Sequence, residues 1–176
     1  MSRFSTGSKL AAVRDEVDEL LDAWGRERGD LDLAPVAVFS RVSRLARRLE
    51  LARREAFAEH DIEQWEFDVL AALRRAGTPY ELSPGRLLRE TLVTSGTMTN
   101  RVDRLAARGL VARLPDPHDR RGVLVRLTGS GRSTVDGALE GLLLREQALL
   151  AGLDATDQKR LAGLLRDLVV PFETGI

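Results

Sequence analysis

The sequence predicts a mainly α-helical protein with one small β-hairpin, on three observations. Apolar residues recur at threes and fours through most of the chain, which is the spacing of a single buried helix face. Between residues 110 and 127 that period gives way to alternation, in Leu110-Val-Ala-Arg-Leu114 and Val123-Leu-Val-Arg-Leu127, on either side of the polar stretch Pro115 to Gly122; alternation around a turn marks paired strands. Just before the first strand, two short helical segments follow one another. Helix, turn, helix and hairpin in that order make a winged helix-turn-helix lobe, and the longer apolar helices on either side form a helical dimerisation lobe.

The elements follow in order. From Ser8 to about Arg28, Leu10, Val13, Val17, Leu20, Leu21 and Trp24 sit at helical spacing, with acidic residues on the other faces, before Gly25, Gly29 and Asp30 break the pattern. Pro35 suits the first turn of a second helix, carrying Val38, Phe39, Val42, Leu45, Leu49, Ala52 and Ala56 to about Glu59. A third helix runs from about Glu63 to Ala76 with Trp65, Phe67, Val69, Leu70 and Leu73. Ser83-Pro84 is a cap followed by a first-turn proline, so residues 85–90 form a short helix. The next helix spans Ser95 to Arg108, and Gly109 ends it. After the hairpin a helix of about twenty residues carries Val135, Leu139, Leu142, Leu143, Leu149 and Leu150; Asp154 and Asp157 cap a last one, ended by Pro171. The parts are then 8–60 and 129–172 for dimerisation and 61–128 for the winged lobe, in one intertwined domain. These terminal helices carry more Leu than one small lobe can cover, which implies a homodimer.

Composition narrows the function. The chain has 176 residues, 43% of them hydrophobic, and no formal net charge, enough to bury a core without staples. Cysteine is absent and only His60 and His118 are present, which argues against disulfides, thiol chemistry and a metal site and leaves no triad for catalysis. Gly129-Ser-Gly131 follows a strand but has Thr134 where a dinucleotide loop needs glycine. No cofactor is expected, and the chain reads as a non-enzyme. With no apolar run near the roughly 20 residues that span a bilayer and no signal-peptide core, a cytoplasmic protein without membrane contact is expected.

Positive charge is concentrated instead. Residues 99–132 hold eight Arg against three Asp and no Glu, a net of about +5 that a phosphate backbone can neutralise. On the helix from Ser95, Met98, Val102 and Leu105 form the buried stripe, Gly96, Asn100, Asp103 and Ala107 lie opposite, and Thr97, Arg101, Arg104 and Arg108 flank one side. Short polar residues near the N-terminus of a major-groove helix can read base edges: Ser95, Thr97, Thr99 and Asn100 fit, with Asn able to pair with adenine through two bonds. Arg104 extends the set. At the hairpin tip Arg120 and Arg121 suit a narrow minor groove, and Arg86 on the short helix suits a phosphate. The partner expected is double-stranded DNA. An ordinary solvated helix face is the alternative, but it leaves the adjoining basic hairpin unexplained.

From Leu82 to Arg132, above all in Ser95-Gly-Thr-Met-Thr-Asn-Arg-Val-Asp-Arg-Leu-Ala-Ala-Arg-Gly-Leu-Val111 and Asp116-Pro-His-Asp-Arg-Arg-Gly-Val-Leu-Val-Arg-Leu-Thr128, the chain resembles the MarR family of bacterial regulators. The resemblance covers about residues 35–170. It implies a homodimeric winged-helix repressor, less often an activator, that leaves a palindromic operator when a small molecule binds. The extra N-terminal helix resembles the urate-responsive subgroup, whose ligand-binding Trp, Asp and recognition-helix Arg correspond to Trp24, Asp68 and Arg101. No counterpart to that pocket's further polar residue stands near Ala76 or Gly77, so the effector implied is a small anionic or aromatic compound such as a purine or polycarboxylate. Other readings stay open: Trp24 as a core residue, Asp68 and Arg101 as a structural ion pair, Arg101 as a phosphate contact, and the whole chain as an effector-independent winged-helix module for DNA or protein contact.

Overall fold

The computed structural model describes residues 14–91, 95–117 and 119–173, excluding the side chains of Ser95, Arg120 and Arg121. The expectations for Leu10, Val13 and His118, and for the side chain of Ser95 and the two wing arginines, therefore lie outside the described residues. Backbone contacts divide the chain into two units, one up to Glu50 and one from Leu51 on.

In the first unit, α1 is Glu16–Glu27. It starts later than the apolar spacing from Ser8 suggests, because Asp15 is an extended N-cap. The Asp15 carboxylate accepts from the backbone of Val17 and Asp18 at 2.9 and 3.0 Å, while Asp18 accepts from the Asp15 amide at 2.9 Å. This reciprocal box satisfies amides that a helix start otherwise leaves open. Arg41 of α2 (Ala34–Ala58) donates to both aspartates, at 2.9 and 2.7 Å, and the first of these bonds holds Asp15 below the usual carboxylate range.

The second unit contains residues 51–58 of α2, then α3 (Gln64–Arg75), β1 (Glu81–Leu82), α4 (Pro84–Thr91), α5 (Ser95–Ala107), β2 (Val111–Asp116), β3 (Asp119–Leu127), α6 (Gly129–Leu149) and α7 (Ala155–Glu173). Its core joins Phe57, Ile62, Val69, Leu70, Leu73, Leu87, Met98, Val102, Leu105, Val125, Val135 and Leu142. The hairpin gains a third strand that alternation could not reveal in two residues: β1 pairs antiparallel with β3, in the order β1-β3-β2. The hairpin is also longer than its apolar alternation. Pro115 opposes Val123 and Asp116 opposes Asp119, so backbone pairing continues past the last buried side chain, and residues 120–122 bulge from β3.

Three joints fix the end of α5. Gly109, at φ +70°, donates to Ala106 O at 2.9 Å and Leu110 donates to Leu105 O at 3.0 Å. This is a left-handed helix stop in which Leu110 also buries beside Leu105. Thr128 Oγ1 caps α6 by accepting from Gly131 N at 2.9 Å and reaches the carbonyls of Gly109 and Leu110 at 2.8 and 3.0 Å. A Cβ on Gly131 would come within 2.0 Å of Leu110 O, so its glycine is required by backbone contact. Third, Glu66 on α3 is 2% exposed and takes Arg108 Nη1 on both oxygens at 2.8 Å and the Glu63 amide at 2.9 Å. Arg108 Nη2 goes on to the Asp61 carbonyl at 2.5 Å and carboxylate at 3.1 Å.

Asp154 caps α7 as expected, accepting from Thr156 and Asp157 at 2.8 Å. Pro171, expected to end that helix, lies inside it. Proline costs one backbone bond, and in the last turn little helix remains to be lost. No residue of α7 is buried, and Leu164, Leu168 and Phe172 are exposed. Among the described residues no helix is long and apolar enough to cross a membrane.

Two stability measurements check these joints. Gly131→Ala should lower stability by about 1–3 kcal/mol in urea unfolding, while Gly129→Ala, where a Cβ meets nothing within 4 Å, should stay within about 0.5 kcal/mol of the parent. Arg108→Ala should cost about 3 kcal/mol by leaving the Glu66 carboxylate buried and unpaired, and adding Glu66→Leu should recover most of that loss.

Candidate nucleic-acid interface

The α5 stripe is buried as the periodicity predicts: Met98, Val102 and Leu105 are 1, 2 and 0% exposed. Their burial turns Gly96, Thr97, Thr99, Asn100, Asp103 and Arg104 to the surface, with Arg101 half-buried at the edge. Gly96, Thr97, Asn100, Arg101 and Arg104 line one open depression of about 600 Å³, closed on its other side by Glu63 and Trp65 of the α3 start. The hydroxyls and the Asn100 amide supply donors and acceptors for base edges. Arg86 is exposed on α4.

Trp65 fills the apolar position of the third helix expected of it, and it has a further contact that spacing does not show. Its indole packs on the core, and its ring carries two guanidiniums, Arg101 with Cζ 5.4 Å and Arg104 with Cζ 4.7 Å from the centroid. Glu63 accepts from Trp65 Nε1 at 3.0 Å and from Arg104 at 3.2 Å. The signal was faint: a large aromatic two residues after an acidic N-cap, where a helix start places both near the surface.

Carboxylates neutralise part of the basic stretch. Arg108 is held by Glu66, Arg113 pairs with Asp103 at 2.7 Å, Arg126 with Glu81 at 2.6 Å, and Arg132 with Asp136 at 3.7 Å. Most of these carboxylates lie outside residues 99–132, so the net of about +5 overstates the charge that faces solvent. At the wing, residues 120 and 121 sit in the bulge of β3. There a Cβ on Gly122 would come within 2.8 Å of Asp116 Cβ, so the tip closes tightly.

Of Trp24, Asp68 and Arg101, the last two share a unit and line different depressions. Asp68 accepts from Gln64 at 2.8 Å and lines a smaller depression of about 260 Å³ with Phe67, Ala71, Arg75, Glu90 and Thr91. Arg101 lies over Trp65 in the larger one. Trp24 is half exposed on α1, in the other unit.

Comparison with known proteins agrees with this geometry. A model of the MarR family matches residues 60–122. The transcriptional regulator PecS of Dickeya dadantii is 33% identical over 150 residues, covering 85% of this chain and 90% of PecS. A mutant MarR from Escherichia coli, solved in complex with operator DNA, has a TM-score of 0.62 at 27% identity, covering 89% of this chain and 99% of that one. BpsR of Bordetella bronchiseptica, whose DNA binding is regulated by 6-hydroxynicotinic acid, has a TM-score of 0.55 at 30% identity, covering 73% of this chain and 98% of BpsR. With a relative this similar along nearly all of its length and the same winged-helix fold, the chain belongs to the MarR family of DNA-binding transcriptional regulators.

Proposed function

We infer that the chain acts as a homodimeric repressor that binds a palindromic operator and is released by a small anionic or aromatic effector. The observation that carries the DNA reading is the face of α5: its apolar stripe is fully packed, so Thr97, Thr99 and Asn100 are held outward beside a hairpin whose tip bears Arg120 and Arg121. Ser95 opens the same helix, and Arg86 and Arg104 add backbone contacts. The operator complex of the Escherichia coli relative supports the same use of the fold. The apolar surface of α7, with no buried residue, supports a second copy as the partner, because an uncovered face of that kind favours association.

The dimer should bind an inverted repeat with half-site centres about 10 bp apart, and its affinity should fall steeply with added salt. Anisotropy against duplexes from the region upstream of its own gene checks this; binding no tighter than to mixed-sequence duplex would sink the operator reading. Arg121→Ala should weaken binding most at A·T-rich flanks, where the minor groove is narrow.

For the effector, the relative regulated by 6-hydroxynicotinic acid supports a small planar anion. Arg101, at the border of the reading face and the core, is the member of the trio placed to compete between ligand and DNA, and Trp24 and Asp68 complete the proposed set. Urate, other purines and polycarboxylates should each be titrated into the protein–DNA complex. Release by one of them should disappear in Trp24→Ala and Arg101→Ala. If none releases the DNA, the effector-independent module gains.

A further inference from the structure

We propose that Trp65 is a positioning residue for DNA backbone contact: its ring holds Arg101 and Arg104 at the edge of α5 as one preorganised pair of cations. The inference rests on the DNA-binding reading above but not on any operator, because phosphate contacts carry no sequence information.

The geometry is specific. Residues 101 and 104 are one helical turn apart, so their side chains leave α5 on the same side. Long arginines on such a face ordinarily sample many rotamers, and ordering them on DNA costs entropy. Here both guanidiniums already lie over one ring, at 5.4 and 4.7 Å from its centroid. The ring is itself oriented: its inner part packs against the core, and Nε1 donates to Glu63 Oε2 at 3.0 Å. Glu63 Oε1 takes Arg104 Nη2 at 3.2 Å, so one carboxylate aligns the indole and the outer arginine together. A planar cation over an aromatic face keeps its edge N–H groups available for phosphate oxygens. Thr97 and Asn100 line the same depression, so the paired cations flank the positions proposed to read bases.

The test uses the full chain, a labelled mixed-sequence duplex and anisotropy at several salt concentrations. Trp65→Leu, which keeps apolar bulk without the aromatic face, should weaken binding roughly 3- to 10-fold. Trp65→Phe, which restores a face, should stay within about 2-fold of the parent. In an Arg101→Ala, Arg104→Ala background, Trp65→Leu should cause no further loss, and that background should itself show a salt slope shallower by about 2. Arg101→Lys with Arg104→Lys, which leaves the core untouched, should also weaken binding, since lysine keeps the charge without the planar stack; this pair serves if Trp65→Leu fails to fold by circular dichroism. Equal losses from Trp65→Leu in both backgrounds, or parent-like binding by the lysine pair, overturn the inference while the DNA-binding reading stands. A parent chain that binds no duplex at all overturns both.

Discussion

The bond between Glu66 and Arg108 determines how the reading helix is presented. A carboxylate at 2% exposure is tolerated only when its charge is matched and its oxygens are satisfied, and here one guanidinium and one backbone amide do both. Because Glu66 belongs to the first turn of α3 and Arg108 directly follows α5, the pair fixes the end of one helix against the start of the other. The neighbouring joints depend on that placement. Gly109 can turn the chain into β2 only where α5 stops, and Gly131 can approach Leu110 only if β2 begins there. The wing and the start of α6 are thus positioned from one ion pair whose carboxylate is buried.

Ion pairs elsewhere on this face behave differently, and the contrast explains how a neutral chain can present a basic surface. Arg104 with Glu63 and Arg113 with Asp103 are solvent-exposed on both sides, and such pairs contribute about 0–1 kcal/mol. A phosphate can replace the carboxylate partner at small cost, so these arginines are shielded in the free protein and still recruitable. Arg108 is not, because releasing it strands a buried charge. Arginines that look equivalent in a charge count therefore divide into structural and exchangeable groups according to the burial of their partners.

Much of the fold was legible because burial imposes a period. The stripe Met98, Val102 and Leu105 and the helices α2, α3, α5 and α6 follow from apolar spacing, and α4 follows from the Ser83-Pro84 start signal. What spacing missed was set by polar chemistry or by very short elements. Asp15 starts α1 later than the apolar residues suggest, β1 is too short to alternate, and the outer part of the hairpin is solvated, so its side chains carry no pattern. The interface was legible in its residue types and not in its partners. Glu63 with Arg104, Glu66 with Arg108 and Glu81 with Arg126 are each about 40 residues apart. Trp65 shows a subtler limit: an aromatic at helical spacing reads as core whether or not its far face carries two arginines.

These unequal attachments bear on how an effector could act on the proposed regulator. The C-terminal end of α5 is fixed by contacts whose rupture costs several kcal/mol. Its reading edge is held by ring contacts worth about 0.5–1 kcal/mol each. A ligand can shift an equilibrium only by its difference in affinity for the two states, and regulatory couplings amount to about 1–3 kcal/mol. That range is too small to break the Glu66–Arg108 joint and large enough to draw Arg101 from the Trp65 ring. Control by a small anion is therefore compatible with an intact lobe, in which α5 stays docked while the cations beside its polar face change partners.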